Sequence, residues 1–261
     1  MSERQPGVHE STPYDDGALY DILLGDGFEF GRDFYLGLAE AGRGPVLDVA
    51  CGTGRILLPC LQAGVDVEGL DNSAGMLAVL KKKAAALGFR PRIYEADMCS
   101  FQLKRRYVLI MVPFNAFVHN LTASHQIAAL TRFREHLVPG GMLVFDSYFP
   151  CVPLITAPDQ SRDLEMETIN PQTGLPIRMF DTRSFDRVEQ LQYSKIEIEM
   201  LDAGRNVTAI HRSHTTVRWI YKHEMELLLR IAGFSRWQIS GGFDLRPHVQ
   251  ETDTMIVRAW N

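Results

Sequence analysis

The fold is decided by residues 46–71, VLDVACGTGRILLPCLQAGVDVEGLD. Residues 46–50 are typical of a buried strand, and the glycines of residues 51–54 let the backbone turn sharply. Residues 55–63 carry a helical apolar pattern, and residues 65–70 read as a second strand with Asp71 at its tip. A carboxylate about 20 residues past the glycines can accept hydrogen bonds from two ribose hydroxyls, so the segment predicts a nucleoside site.

Two positions bear on which nucleoside is bound. A dinucleotide fingerprint has a third glycine three residues after the second, but position 57 is Leu. Asp48 lies just before the glycines, where a carboxylate repels a pyrophosphate and suits a cation such as a sulfonium that carries an amino group. The sequence favours S-adenosylmethionine over NAD, and an NAD-dependent oxidoreductase is the disfavoured alternative.

Four segments also carry a resemblance to a known family. In order they are DVACGTGR at 48–55, DNSAGML at 71–77, ADM at 96–98 and LVPGGMLVF at 137–145. They resemble successive motifs of the class I S-adenosylmethionine-dependent methyltransferases, although Ala50 stands where that family often has glycine. The resemblance covers roughly residues 44–148. It implies S-adenosylmethionine as cofactor and an α/β fold with a doubly wound, mostly parallel seven-stranded sheet.

The hydrophobic pattern after the glycine turn supports this fold class. Helices are predicted at 73–87 and 123–136, and they alternate with strands at 91–95, 107–112 and 141–147, as in a parallel sheet. A helix at 221–232 and strands at 234–239 and 255–260 close the chain. Helices at 17–24 and 28–39 belong to an N-terminal segment, 1–42, that is predicted to lie over the cofactor as a lid.

The segment 153–219 has a different character. From residue 178 polar and apolar side chains alternate, and turns are predicted at 170–174 and 202–205. This pattern predicts an antiparallel sheet inserted into a methyltransferase domain made of residues 43–152 and 220–261. Because ligands of open α/β sheets bind at the carboxyl edge, we expect the insertion to roof the active site.

Cofactor contacts are predicted from both the residues and the resemblance. Asp71 is expected to bind the ribose hydroxyls, Asp48 the methionyl ammonium, Asp97 the adenine amine, and Met98 the adenine ring. The predicted cofactor-binding set runs from the lid to the fourth strand: Tyr20, Asp48, Ala50, Gly52, Thr53, Gly54, Arg55, Asp71, Asn72, Met76, Ala96, Asp97, Met98, Val112 and Asn115.

The methyl-transfer end is expected just past the strand at 107–112. His119 is the side chain there whose ordinary pKa suits a base at neutral pH, and the resemblance to amino-sugar N-methyltransferases supports that role. A histidine that only caps the next helix is the alternative. Predicted substrate contacts are Tyr14, Phe117, Tyr148, Arg212, His214 and Arg218. The last three residues share one face of a predicted strand, and the opposite face of that strand is more apolar. The sequence therefore does not decide which of the two faces lines the active-site cavity.

Composition limits the function classes. A net charge of −5 argues against nucleic acid as a partner, and no run of 18 apolar residues predicts a membrane span. The polar first 18 residues lack a signal sequence, so a cytoplasmic protein is expected. Cys51, Cys60, Cys99 and Cys151 lack metal-ligand spacing, so no metal is expected.

We therefore expect an enzyme that methylates a small molecule, with an amine nitrogen as the favoured acceptor. O- or C-methylation, and a catalytically silent S-adenosylmethionine-binding regulatory protein, are the alternatives. The sequence leaves a homodimer open.

Overall fold

Helices and strands alternate along the first half of the chain in the computed structural model, which describes residues 11–24, 29–148 and 152–261, apart from the Leu154 side chain. The helices are α1 (Gly17–Leu24), α2 (Arg32–Ala41), α3 (Leu57–Gln62), α4 (Ala74–Ala86), α5 (Ala123–His136), α6 (Val152–Ile155) and α7 (Lys222–Ile231). The strands are β1 (Val46–Val49), β2 (Val67–Asp71), β3 (Ile93–Glu95), β4 (Tyr107–Val112), β5 (Leu137–Ser147), β6 (Arg162–Ile169), β7 (Pro176–Asp186), β8 (Leu191–Leu201), β9 (Val207–Arg218), β10 (Arg236–Gly241) and β11 (Met255–Trp260). A 3₁₀ turn, Ala116–His119, follows β4.

Seven of these strands form one sheet in the order β10-β11-β5-β4-β1-β2-β3. The strands β1 to β5 pair in parallel, whereas β11 is antiparallel to both of its neighbours. The predicted doubly wound, mostly parallel seven-stranded sheet is confirmed. The carboxyl ends of β1, β2, β3, β4 and β5 consequently meet at one edge.

The two faces of this sheet are buried against different helices. Leu47 and Val49 of β1 lie in the core packed by α5 and α7, and Val46 lies in the core packed by α2, α3 and α4. Since side chains alternate along a strand, Asp48 shares the face of Val46, and Asp146 of β5 shares the face of Val144. Both carboxylates are therefore inserted under the N-terminal helices.

Most predicted boundaries differ from the structure by at most two residues, but two starts differ by four. Helix α2 begins at Arg32, not at residue 28, because Gly31 before it adopts φ +67° and a Cβ there would meet the Phe243 ring; Phe28 itself lies outside the described residues. Strand β5 begins at Leu137, not at residue 141. Its first residue already pairs with Tyr107, and the register shifts before Leu109.

The predicted antiparallel sheet in the insertion is confirmed. It has the order β6-β7-β8-β9 and lies in the chain between β5 and α7. The turn at 170–174 is closed by a hydrogen bond from the Gly174 amide to the Asn170 carbonyl, and the turn at 202–205 by the Arg205 amide to the Asp202 carbonyl. We call this sheet the roof.

No helix in the described part of the chain is long and apolar enough to span a membrane. Cys51, Cys60 and Cys99 are free thiols, and Cys151 lies outside the described residues.

Candidate active site

A cleft lies at the carboxyl edge of the parallel strands. Its lining residues follow β1, β2, β3 and β4: Ala50, Leu70, Asp71, Asn72, Ala96, Asp97, Met98, His119 and Asn120. Seven of these nine residues belong to the predicted site, so the structure brings the ribose, adenine and methyl-end predictions together. Leu70 and Asn120 were not predicted.

Asp71 ties the glycine turn to the end of β2. One oxygen of its carboxylate accepts from the Gly52 amide and the other from the Ser73 amide, both at 2.8 Å. Burial raises the pKa of this carboxyl, and the two amides offset part of that effect. Each oxygen keeps a further lone pair, so Asp71 can still accept hydrogen bonds from hydroxyls in the cleft.

The glycine turn itself is folded tightly. Gly54 adopts φ +94°, and a Cβ there would lie 2.4 Å from a Leu80 methyl. Ala50 adopts φ +54°, a left-handed conformation that costs an L-residue about 1 to 2 kcal/mol. Ala50, which stands where the family often has glycine, is therefore a strained residue at the mouth of the cleft.

The opposite wall is held by Asn120, which is 4% exposed. Its amide nitrogen donates to the Phe117 carbonyl at 2.9 Å and lies 3.2 Å from the Met98 sulfur. Asp97 next to Met98 is exposed, and its carboxylate accepts from the Cys99 amide at 2.6 Å. Asn120 thus joins the predicted adenine wall to the 3₁₀ turn that carries His119.

Asp48 is fully buried, and neither carboxylate oxygen has a hydrogen-bond partner of ordinary geometry among the described residues. Burial raises its pKa to about 8, and the Arg55 guanidinium and the Leu57 amide offset only part of this. Asn115 Oδ1 and Ser147 Oγ are also buried without a partner in the described part of the chain. The three lie at the carboxyl ends of the adjacent strands β1, β4 and β5, where a charged, polar ligand would satisfy them.

His119 Nε2 lies 2.9 Å from the Tyr14 hydroxyl, and the two rings meet edge to face with centroids 5.3 Å apart. Burial lowers the pKa of His119, and a hydrogen bond to the Thr216 backbone offsets part of this. Burial raises the pKa of Tyr14 to about 12, while a hydrogen bond from Thr215 lowers it. At neutral pH the pair is therefore a neutral imidazole beside a protonated phenol.

Tyr14 belongs to a segment, Ser11 to Leu24, that crosses from the roof to α4. The His214 amide donates to the Ser11 carbonyl at 2.9 Å, and Ser73 Oγ donates to the Tyr14 carbonyl at 2.7 Å. Farther along, Asp21 accepts from Thr53 Oγ1 at 2.6 Å and pairs with Lys83 at 2.9 Å. The segment is fastened at both ends of the cleft.

Comparison with known proteins shows which proteins this chain resembles in sequence and in fold. Residues 46–141 match the family described as "Methyltransferase domain". The solved structure of the CcbJ methyltransferase from Streptomyces caelestis superimposes with a TM-score of 0.73, at 23% identity, over 96% of this chain and 98% of that chain. Residues 46–141 therefore carry a methyltransferase domain.

Two curated methyltransferases are similar in sequence. The dTDP-3-amino-3,6-dideoxy-alpha-D-glucopyranose N,N-dimethyltransferase of Streptomyces fradiae is 34% identical over 104 residues, 40% of this chain and 39% of that protein. The cypemycin N-terminal methyltransferase of Streptomyces sp is 26% identical over 212 residues, 81% of each chain. The match thus spans about two fifths of the length of the amino-sugar enzyme.

S-adenosylmethionine is the cofactor of this family. Similar folds were solved with S-adenosylmethionine in an amino pentose methyltransferase from Micromonospora echinaspora, and with sinefungin or S-adenosylhomocysteine in a glycopeptide N-methyltransferase, at TM-scores of 0.66, 0.55 and 0.56. The residues of this methyltransferase domain fit that group, because the unpartnered Asp48 carboxylate suits a methionyl ammonium and Asp71 suits the ribose.

Several predicted cofactor residues are not among those that line the cleft. Thr53 is bonded to Asp21, and Arg55 donates to the Phe30 carbonyl at 2.7 Å. Met76 packs under Gly52, and Val112 is fully buried in the sheet. The Tyr20 ring packs with Tyr14 at 6.1 Å.

The structure corrects three predicted substrate residues. Phe117 is fully buried against Phe145, with centroids 4.8 Å apart, so it belongs to the core. Ser213 is buried and Thr215 bonds Tyr14, so Arg212 and His214 point to the opposite, exposed face of β9. Arg212 there pairs with Glu197 at 2.9 Å. The alternation along β9 does not show which face lines the active site. The contact between Thr215 and Tyr14 shows that it is the face of Ser213 and Thr215.

Arg218 also has a different place. It donates to Gln126 at 2.9 Å and pairs with Glu224 of α7 at 2.9 Å, so it fastens the roof to the methyltransferase domain. Tyr148 follows β5 and is half-buried.

Proposed function

We propose that this protein transfers the methyl group of S-adenosylmethionine to an amine nitrogen of a small molecule. The observation that carries the proposal is the His119–Tyr14 pair, because it sets a neutral base at the wall of the cleft that Asp71 and Asp97 also line.

The names of the relatives support nitrogen as the acceptor atom. One is an amino-sugar N,N-dimethyltransferase and another is a cypemycin N-terminal methyltransferase. A protonated amine and a peptide N-terminus share one requirement, since each must lose a proton before its lone pair can attack carbon. A neutral imidazole beside the cleft can accept that proton.

Bound S-adenosylmethionine supplies an already activated methyl group, so the protein has few tasks left. Asp71 and Asp48 would hold the ribose and the methionyl ammonium. The segment from Ser11 to Leu24 would act as a lid that excludes water, and the roof would complete the acceptor cavity. His119 would take one proton from the acceptor ammonium, directly or across the Tyr14 oxygen, with the Tyr14 proton passing to Nε2.

The test is turnover of His119→Ala against a library of amines and phenols, with S-adenosylhomocysteine affinity measured in parallel. Turnover of an amine should fall about 10²- to 10⁴-fold, while cofactor affinity stays nearly unchanged. The wild type should lose activity as the pH falls through a pKa below the ordinary histidine value, because the protonated imidazole accepts no proton. In His119→Ala this loss of activity at low pH, the acidic limb of the pH profile, should be absent.

His125 provides the matched control. It is exposed on α5, six residues along the chain, and His125→Ala should retain wild-type turnover and pH dependence. An acidic limb that persists in His119→Ala, or turnover of phenols but of no amine, would contradict the proposal. A wild type that binds cofactor and methylates nothing would instead favour the regulatory alternative.

A further inference from the structure

The turn after β4 is strained. Phe114 and Asn115 adopt φ +60° and +55°, and neither is glycine. Such conformations cost of order 1 to 3 kcal/mol each and persist only where the surrounding structure fixes them. Asn115 is also the residue from which the 3₁₀ turn to His119 begins.

A single carboxylate fixes both residues. Asp146 Oδ1 accepts from the Phe114 amide at 2.8 Å, and Oδ2 accepts from the Asn115 amide at 2.6 Å. Tyr35 of α2 donates its hydroxyl to Oδ1 at 2.5 Å. Asp146 and Tyr35 are both fully buried, so water cannot replace these bonds.

The arrangement joins three parts of the chain that are distant in sequence. Tyr35 comes from the N-terminal helices, Asp146 from the end of β5, and Asn115 from the loop that ends at His119. A turn needed only for packing would be less strained with glycine at positions 114 and 115. The strained turn instead leaves Asn115 Oδ1 buried without a partner in the described structure, one strand away from Asp48.

We propose that Asp146 and Tyr35 are positioning residues, which hold the Phe114–Asn115 turn so that Asn115 and His119 face the methyl group in transfer. This inference rests on the proposed function, because it concerns the same reaction. Tyr35 and Asp146 touch neither substrate nor cofactor in this account, and they act through the turn.

Sinefungin tests the proposal without an acceptor. It carries an amine where S-adenosylmethionine carries the sulfonium methyl, whereas S-adenosylhomocysteine has no group there. The ratio of the two affinities therefore reports on the surroundings of the methyl position. We expect Tyr35→Phe and Asp146→Asn to change this ratio at least about fivefold, with S-adenosylhomocysteine affinity within about twofold, because a loosened turn misplaces Asn115 and leaves the ribose contacts intact.

Turnover is the second measurement. With an amine that the wild type methylates, Tyr35→Phe should lower kcat about 10- to 100-fold with little change in the KM of S-adenosylmethionine, since small misplacements cost rate more than binding.

Tyr107 gives a matched control. It is fully buried, and its hydroxyl donates to the Glu68 carboxylate at 2.8 Å, at the other end of the same sheet. Tyr107→Phe removes the same kind of buried bond, so it should lower stability comparably and leave the affinity ratio and kcat unchanged.

An affinity ratio that stays at the wild-type value in folded Tyr35→Phe would overturn the proposal, and so would an equal change in Tyr107→Phe. If Asp146→Asn does not fold, Tyr35→Phe alone tests the proposal, because this variant keeps the aromatic ring at position 35 and the Asp146 carboxylate. A wild type without amine turnover would sink the proposed function alone, and the sinefungin ratio would still decide the role of Asp146 and Tyr35.

Discussion

Two buried carboxylates of the parallel sheet, Glu68 towards its amino edge and Asp48 towards its carboxyl edge, differ in the hydrogen-bond donors that surround them. At the amino edge, Glu68 is 2% exposed and accepts from Tyr94, Tyr107, Arg92 and Arg105. Burial raises its pKa, but these donors outweigh the burial, so the pKa lies below its usual value. Asp48 of β1 lies one position nearer the carboxyl edge, since its neighbour Leu47 pairs with Glu68. It is equally buried, lacks a comparable set of donors among the described residues, and has a pKa raised to about 8.

Backbone strain follows the same division. Among residues 46–147, which span β1 to β5, the non-glycine residues with left-handed conformations are Ala50, Phe114 and Asn115, and all three follow the carboxyl ends of β1 and β4. The other such residues that the structure describes, Gln160, Gln190, Arg205 and Leu245, lie outside these strands and their connections. An edge that served only stability would relieve such strain and pair its carboxylates. The difference between the edges indicates that the amino edge holds the fold, and that the carboxyl edge is completed by a ligand.

The largest expected effect is at the carboxyl edge. Asp71→Ala should weaken S-adenosylhomocysteine binding by roughly 2 to 4 kcal/mol, because two charge-assisted hydrogen bonds are lost and the Gly52 and Ser73 amides lose their acceptor. Isothermal calorimetry measures the change. Asp66→Ala, at the exposed amino edge, is the control and should bind normally. Unchanged affinity in Asp71→Ala would break the comparison between the edges.

Glu68→Gln should have the opposite effect, a loss of stability without a loss of cofactor affinity. It replaces a fully satisfied carboxylate by a neutral amide that cannot accept from four donors, so we expect a loss of about 2 kcal/mol in the free energy of unfolding. Cofactor affinity should stay within twofold of wild type. Urea unfolding and calorimetry on the same preparation separate the two quantities, and a loss of affinity without a loss of stability would contradict the structural role.

The smallest effect concerns strain. Ala50→Gly relieves a left-handed alanine but adds freedom to the unfolded chain, and we expect a net gain of about 0.5 kcal/mol in the free energy of unfolding. Ala63→Gly is the matched control, because Ala63 is exposed at φ −78° and should lose about 0.5 to 1 kcal/mol. If both substitutions destabilise equally, Ala50 is not strained.

The sequence predicted the carboxyl edge better than the amino edge. Asp71, Asp97 and His119 follow strands at positions where the parallel sheet must bring them together, so local pattern was sufficient. Glu68 gave no signal, because its alternation within β2 does not reveal which donors arrive from β3 and β4.

Contacts between distant segments explain the other misses. Tyr35 and Asp146 are 111 residues apart, and each alone reads as an ordinary helix or strand residue. Phe117 was assigned to the acceptor pocket because it follows the strand at 107–112, where the methyl-transfer end is expected, but its ring is buried in the core. Arg212 and His214 were misplaced because a period of two defines two faces of a strand without saying which face is covered.

Asp48 offers the most direct test of the central claim that an unsatisfied carboxylate awaits the cofactor's cation. A pKa raised to about 8 means that the folded, ligand-free protein keeps this proton, so its stability should fall as pH rises from about 4 to about 8. A bound ammonium would favour the ionised form and release the proton. Calorimetry of S-adenosylhomocysteine binding at pH 7, in buffers of different ionisation enthalpy, measures that release.

We predict release of close to one proton by the wild type at pH 7, falling towards zero above pH 9, and none by Asp48→Asn. Glu68→Gln should behave as wild type, because the Glu68 carboxylate is held by its own donors and does not line the cleft. Binding by the wild type without proton release at pH 7, or equal release in Asp48→Asn, would contradict the account.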